Sequence, residues 1–157
     1  PKKIKAFNSV SYKDYKSKIN SKKIKFTLLN KKKSPISLQC KKLKKIKNLD
    51  RILVLPGTHD ANSIFQAVKE KIFYKKDKIK FYIKFHPKKV LSFKSTNSLK
   101  VIKSIKNKNF SKILISPTST LVYDFMNLNK DFMVYNLDYK QNLVSSNFKR
   151  KIKLYYF

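Results

Sequence analysis

Three adjacent hydroxyl residues, Thr118, Ser119 and Thr120, lie in a stretch of the chain that is almost free of lysine. Apolar residues with helical spacing follow them, which predicts a helix over residues 118–128 that begins at this cluster. The first amides of a helix lack intrahelical partners, and the helix dipole adds positive charge there. Amides and hydroxyls together could therefore bind a phosphate. Taken alone, the cluster is explained more simply as a helix N-cap.

His86 is the second candidate and the predicted catalytic residue. It ends the apolar run 78–85 and precedes Pro87, which restricts the chain as it leaves. An imidazole at this position could donate a hydrogen bond to a phosphate or act as an acid or base near neutral pH. A purely structural histidine at a strand end explains the pattern equally well.

Two further sites carry polar groups at predicted element ends. Residues 57–60 (Gly57, Thr58, His59 and Asp60) are candidate loop contacts to a ligand, with Gly57 being the only glycine of the chain. The alternative is a turn followed by a helix N-cap at Asp60. Asp124 lies one helical turn after Thr120 and could accept hydrogen bonds from ribose hydroxyls. The alternative for Asp124 is a solvated acid that interacts favourably with the helix dipole.

These candidates are positioned by an alternation of predicted strands and helices. Strands are predicted at residues 51–55, 78–85, 111–116 and 131–137, and residues 98–105 form a third strand or a short helix. A helix after Asp60 has its apolar face at Ile64, Phe65, Val68 and Ile72. This order predicts an α/β fold with a Rossmann-like parallel sheet flanked by helices. Ligands of such sheets bind at the carboxyl ends of the strands, where all three candidate loops lie.

The N-terminal part is harder to interpret. Residues 23–30 and 34–40 are strand-like, residues 41–50 suit a short basic helix or a linker, and the C-terminal tail has no clear pattern. We expect residues 1–50 to be a basic lead-in, a linker or the remnant of a preceding domain. Residues 51–157 would form the ligand-binding domain.

The composition limits the classes of function. The formal net charge of +31 indicates an anionic partner, such as a nucleic acid, an anionic membrane surface or a phosphorylated ligand. Enrichment in Lys, Ile, Asn, Phe and Tyr, with one glycine and no tryptophan, also suits codon drift in an AT-rich genome. One cysteine and two histidines exclude a disulfide framework and predict no metal site, and no glycine-rich nucleotide motif is present. A reducing cytoplasmic setting is expected, either free or peripheral at the inner face of the membrane.

Residues 50–140 resemble a known family. "STLVYDFMNLNKDFMVYNLD" (119–138), preceded by "RILVLPGTHD" and "FYIKFHPK", is similar to the C-terminal half of GT-B-fold transferases that build bacterial surface carbohydrates. The glycosyltransferases of surface polysaccharide biosynthesis and the CDP-glycerol glycerophosphotransferases of teichoic acid synthesis are the most similar groups. Asn129 and Lys130 fall in register with the family's turn, whereas Asp131 replaces its proline and Asn129, which tolerates a left-handed backbone, replaces its glycine.

The resemblance implies a role for each candidate. His86, Thr118, Ser119 and Thr120 would bind the donor's phosphates and Asp124 its ribose. The donor would be a nucleotide-activated sugar or a CDP-polyol, and the acceptor a glycan or a teichoic-type polymer. No separate cofactor is implied. The family's acceptor domain is longer than residues 1–50, so the chain is expected to be a donor-binding half, either a fragment or an inactive remnant.

The alternative from another class is a basic nucleic-acid-binding module without catalysis. Such a module would concentrate lysines and aromatics on one face. Here the lysines are spread through the whole sequence, so nucleic acid is not the expected partner.

Overall fold

The computed structural model describes residues 2–6, 8–19, 24–29, 35–41, 50–75, 78–89, 93–106, 108–136 and 152–157. Within them, the elements follow one another as β1 (Lys2–Ala6), α1 (Ser9–Lys18), β2 (Ile24–Leu28), α2 (Pro35–Lys41), β3 (Arg51–Leu55), α3 (Ala61–Lys75), β4 (Lys80–Ile83), β5 (Leu99–Val101), β6 (Lys112–Ile115), α4 (Leu121–Asn127), β7 (Met133–Asn136) and β8 (Lys153–Tyr156).

Six strands form one sheet in the order β5-β4-β3-β6-β7-β8, and all neighbouring pairs are parallel. Counted from β3 as the first strand, this is the order 3-2-1-4-5-6 of Rossmann folds. The predicted α/β class and parallel sheet are therefore confirmed. The strand order reverses between β3 and β6, which lie side by side with Val54 opposite Leu114.

The core lies on both faces of this sheet, because alternate residues of a strand point to opposite faces. Ile52 and Val54 of β3 pack in one cluster with Ile64, Phe65 and Val68 of α3. Their neighbours Leu53 and Leu55 belong to a second cluster, which contains Val122 and Phe125 of α4. The helices α3 and α4 consequently cover opposite faces, and the predicted apolar face of α3 is confirmed.

The N-terminal part forms a separate βαβ unit. Strands β1 and β2 pair in parallel, with Ile4 opposite Phe26, and α1 connects them. Helix α1 begins with a capping box, in which the Asn8 side chain accepts from the Ser11 amide and the Ser11 side chain accepts from the Asn8 amide. This unit joins the main sheet through α1, which packs against α4.

Several elements differ from the sequence-based predictions. Residues 35–41 form the helix α2, so the strand predicted at 34–40 is wrong. Pro35 suits a first helical turn, and Ile36 and Cys40, four residues apart, pack in the cluster on the α4 face. The strand β8 arises from the tail that had no clear pattern. Residues 42–49, where a helix or linker was predicted, lie outside the described part.

Candidate functional site

The candidate site lies where the strand order reverses. Residues 56–60 leave the carboxyl end of β3, and residues 116–120 leave the carboxyl end of the adjacent β6. Two neighbouring strands whose connections run to opposite faces leave a crevice between their loops. His86 follows β4, which neighbours β3 on its other side. The three candidate loops thus share one edge of the sheet, with residues 56–60 in the middle.

A buried carboxylate ties two of these loops together. Asp60 is only 5% exposed and accepts three hydrogen bonds. The Gly57 amide donates to Oδ1 at 2.8 Å, while the hydroxyls of Ser116 and Tyr135 donate to Oδ2 at 2.6 and 2.7 Å. Burial and the nearby Asp60 charge raise the pKa of the Tyr135 phenol well above its ordinary value. The Asp60 side chain therefore connects β3, β6 and β7 and is directed inward.

Gly57 does not have a positive φ, so its backbone angles do not require a glycine. It is required because the network leaves no space for a side chain. A Cβ on Gly57 would lie 2.8 Å from Thr118 Oγ1 and 3.0 Å from both Asp60 Oδ1 and Ser116 Oγ. A glycine can be needed for a positive φ or for the close approach of another group. In the structure, the close approach is to the side chains of its own and the neighbouring loop.

The network also sets the direction of the Thr118 hydroxyl. Ser116 Oγ is 2.9 Å from Thr118 Oγ1 and accepts from the Thr118 amide at 3.1 Å. Since the single proton of Ser116 is donated to Asp60, Thr118 must be the donor between the two hydroxyls. The Thr118 hydroxyl has thereby used its only proton and can only accept a further hydrogen bond. It therefore suits a ligand hydroxyl or amine, which donates, better than the phosphate oxygen predicted from the sequence.

Ser119 and Thr120 lie just before α4, which begins at Leu121, three residues later than predicted. Residues 116–119 form a turn instead, closed by the bond from the Ser119 amide to the Ser116 carbonyl at 3.1 Å. Ser119 Oγ accepts from the Leu121 amide at 3.3 Å, whereas exposed Thr120 makes no side-chain capping bond. The hydroxyl proton of Ser119 is not used in that contact, so it can be donated to a ligand.

His86 is exposed after the end of β4. Its Nδ1 accepts from the Lys88 amide at 3.2 Å, which places the proton of the neutral imidazole on Nε2. The ring can therefore donate one hydrogen bond to an acceptor at the crevice. With strands about 4.8 Å apart, the ends of β4 and β6 are separated by roughly 10 Å, a span that a diphosphate and its neighbouring sugars could bridge.

Asp124, the predicted ribose contact, is in contact with the N-terminal unit. Its Oδ1 accepts from Asn8 Nδ2 at 3.2 Å, and Ser9 Oγ donates to Asn127 Oδ1 at 3.1 Å nearby. Asp124 is only partly buried, so its carboxylate borders both α1 and solvent. The role of Asn8 was not predicted, because nothing in residues 1–50 indicated that α1 would pack against α4.

A second buried carboxylate anchors α1. Asp14 is fully buried, accepts from the Tyr123 hydroxyl of α4 and pairs with Lys18 at 2.9 Å. The pKa of Tyr123 is raised, mainly by burial and further by its hydrogen bond to Asp14. The ring of Tyr15 meets that of Tyr123 edge to face at 5.9 Å. The position of α1 beside the crevice is thus determined by specific polar contacts.

The remaining predicted residues divide by exposure. Thr58 is half-buried and His59 is exposed, both on the loop between β3 and α3. Asn129 has φ of 49°, the left-handed conformation that its type tolerates.

Tyr135 and Ser116 complete the Asp60 network. Tyr135 was missed because a tyrosine in an apolar strand carries no sequence signal for a hydrogen-bonded tip.

Searches for similar proteins give no match to a family model, a curated protein or a solved structure. Within the described ranges, no three His, Cys, Asp or Glu side chains are grouped so that they could hold a metal ion. None of the helices described here is long and apolar enough to cross a membrane.

Proposed function

We propose that the chain is the donor-binding half of a GT-B-type transferase, which binds a nucleotide-activated sugar or polyol phosphate for the synthesis of a surface polysaccharide or teichoic-type polymer. The observation that carries this proposal is the crevice at the reversal of a Rossmann strand order, bordered by the loops after β3, β4 and β6. The resemblance of residues 50–140 to such transferases supports the same location.

The phosphates of the donor would lie between His86 and the pair Ser119 and Thr120. His86 offers the Nε2 proton, and both hydroxyl residues have a proton that no described capping bond uses. In sugar transfer from a nucleotide sugar, negative charge grows on the departing nucleoside diphosphate. In transfer of a polyol phosphate from a CDP-polyol, it grows on the departing CMP. Donors held in place before the reaction stabilise that charge without reorganisation, and this would be the catalytic contribution of His86.

The nucleoside would lie on the side of Thr118 and Asp124. Both side chains present acceptors, Thr118 through its lone pairs and Asp124 through its carboxylate. Ribose hydroxyls are donors and suit these acceptors. The crevice therefore has donors for phosphate oxygens at His86, Ser119 and Thr120, and acceptors for hydroxyls at Thr118 and Asp124. Asn8 would help to orient Asp124.

The βαβ unit formed by β1, α1 and β2 would be the end of the preceding acceptor domain. It has its own two-stranded parallel sheet, which is too small to be stable without the packing of α1 on α4. A complete acceptor domain would extend this sheet. Transfer activity would then need the acceptor domain, whereas donor binding would not.

The test is the affinity for UDP and CDP by isothermal titration calorimetry. His86→Ala should weaken diphosphate binding by about 1.5–3 kcal/mol, since it removes a hydrogen bond to a charged group. Lys80→Ala is the control, because Lys80 is exposed at the amino end of β4, six residues before His86 and at most roughly 20 Å from it. Equal loss in both variants, or an unchanged affinity of His86→Ala, would contradict the assignment.

A further inference from the structure

An apolar groove with two exposed aromatic side chains lies along α3, on the β5 side of the sheet. The groove has a volume of about 430 Å³ and lies between α3 and the segment leading into β5. Its lining is mainly apolar, with two lysines and a threonine: Phe65, Lys69, Ile72, Phe73, Phe93, Lys94, Thr96 and Leu99. Phe73 of this lining and its neighbour Tyr74 are 77% and 79% exposed, more than any other large apolar side chain among the described residues.

The groove is supported from below and charged at its rim. Phe65 and Phe93 stack with ring centroids 3.5 Å apart, which forms a rigid floor. The exposed Lys69 holds its ammonium group 5.7 Å from the Phe65 ring, and Lys94 is exposed on the other side. Glu70 is the only acidic residue of α3. An apolar surface of this kind is uncommon on a protein without a partner.

We propose that this surface, consisting of the groove, Phe73 and Tyr74, docks on an anionic phospholipid bilayer. Aromatic rings prefer the headgroup level of a membrane, and lysines extend their charged ends toward lipid phosphates while their stems remain on apolar surface. The net charge of +31 complements such a bilayer and draws the chain to it. The groove can accept part of a lipid acyl chain that the rings of Phe73 and Tyr74 push aside when they insert.

The topology places the two exposed rings of this surface away from the candidate site. Phe73 and Tyr74 lie in the last turn of α3, which runs from the carboxyl end of β3 back toward the amino end of β4. The crevice lies at the carboxyl edge of the same strands. Docking through α3 would therefore leave the crevice open to soluble ligands, and the proposal does not depend on what the crevice binds.

A single-stranded RNA is the other polyanion that aromatics and lysines could bind, by stacking bases on exposed rings. The observations favour lipid. The rings of Phe73 and Tyr74 meet edge to face at 5.3 Å, which leaves no flat pair of platforms for successive bases. The adjoining groove is also lined mainly by apolar side chains, which suits an acyl chain better than a base with polar edges.

Tryptophan fluorescence tests the proposal, because the natural chain has no tryptophan. Phe73→Trp places a probe in the surface, and Tyr156→Trp places a matched probe on β8, where Tyr156 is 63% exposed. Each variant is mixed with phosphatidylcholine vesicles that contain about 30% phosphatidylglycerol, with and without brominated acyl chains. We expect a blue shift and quenching by bromine at position 73 and neither at position 156.

A second variant separates insertion from general attraction. Phe73→Ser with Tyr74→Ser keeps every charge and should lower vesicle partitioning about tenfold, with the largest effect in high salt, where electrostatic attraction is screened. Leu154→Ser with Tyr156→Ser is the control and should bind like the natural chain. The proposal would be overturned if both double variants partitioned equally, or if the probe at position 73 stayed in water. It would also be overturned if that probe responded to single-stranded RNA but not to vesicles.

Discussion

At the scale of single residues, the Asp60 carboxylate is the most constrained group of the candidate site. It is buried without a described cation beside it, and its charge is balanced by three hydrogen-bond donors. A buried charge is tolerated only when such bonds replace its hydration. Asp60 would therefore affect a ligand bound in the crevice only indirectly, by holding Ser116 and through it the orientation of Thr118.

Asp60→Ala should lower the free energy of unfolding by about 3 kcal/mol, because it leaves three buried donors without an acceptor. Tyr135→Phe removes one donor and should cost about 1.5 kcal/mol. Urea denaturation measures both, and Asp50→Ala, at an exposed acid just before β3, is the control. A loss below about 0.5 kcal/mol in Asp60→Ala would show that the network contributes little to stability.

At the scale of elements, the docking of α1 on α4 depends on Asp14 and Tyr123. Tyr123→Phe removes a hydrogen bond to a buried carboxylate and should destabilise the chain by about 1.5–3 kcal/mol. Amide hydrogen exchange should rise in residues 9–18 and stay nearly unchanged in the centre of α3. An equal rise in both helices would mean that α1 does not open separately from the main sheet.

The packing of α2 makes a prediction about pH. Burial raises the pKa of the Cys40 thiol to about 12, from an ordinary value of 9.0. Between these values the unfolded thiol is ionised and the folded thiol is not, so unfolding releases a proton and stability falls as the pH rises. Unfolding midpoints in urea should therefore decline from about pH 8 to about pH 9.5, and Cys40→Ala should flatten that decline. The same slope in both chains would contradict the burial of Cys40.

How far the sequence predicts these elements depends on where their cores lie. The strands β3, β4 and β6 and the helix α3 follow from continuous or periodic apolar residues, such as Ile64 and Val68 on one helical face. Helix α1 has no such pattern, because it is held by polar contacts from Asn8 and Asp14. These contacts depend on residues more than 100 positions away, which no local pattern reveals.

The candidate site was predictable to a similar extent. The loops after β3, β4 and β6 follow from the strand assignment, since parallel strands end at one edge. The individual contacts do not follow from it, because the sequence left open whether Asp60 caps α3 or contacts a ligand. Only the three-dimensional arrangement shows that its carboxylate points toward Tyr135.

At the scale of the whole molecule, the sheet separates two surfaces of different chemistry. The carboxyl edge carries the crevice with its hydroxyls, His86 and Asp124. Phe73 and Tyr74 lie toward the amino edge, next to an apolar groove that runs along α3. We propose that a donor nucleotide binds at the first surface while the second rests on a membrane, an arrangement that suits the synthesis of a surface polymer.

The proposed function depends on the binding of a nucleoside diphosphate at the carboxyl edge of the sheet. Amide chemical shifts of the ¹⁵N-labelled chain, followed during titration with UDP or CDP, test it most directly. We predict saturable shifts confined to residues 57–60, 86–89 and 116–124, with 2′-deoxy nucleotides binding more weakly. Shifts that spread over the lysine-bearing surface without saturation, and leave these loops unchanged, would contradict nucleotide binding at this edge.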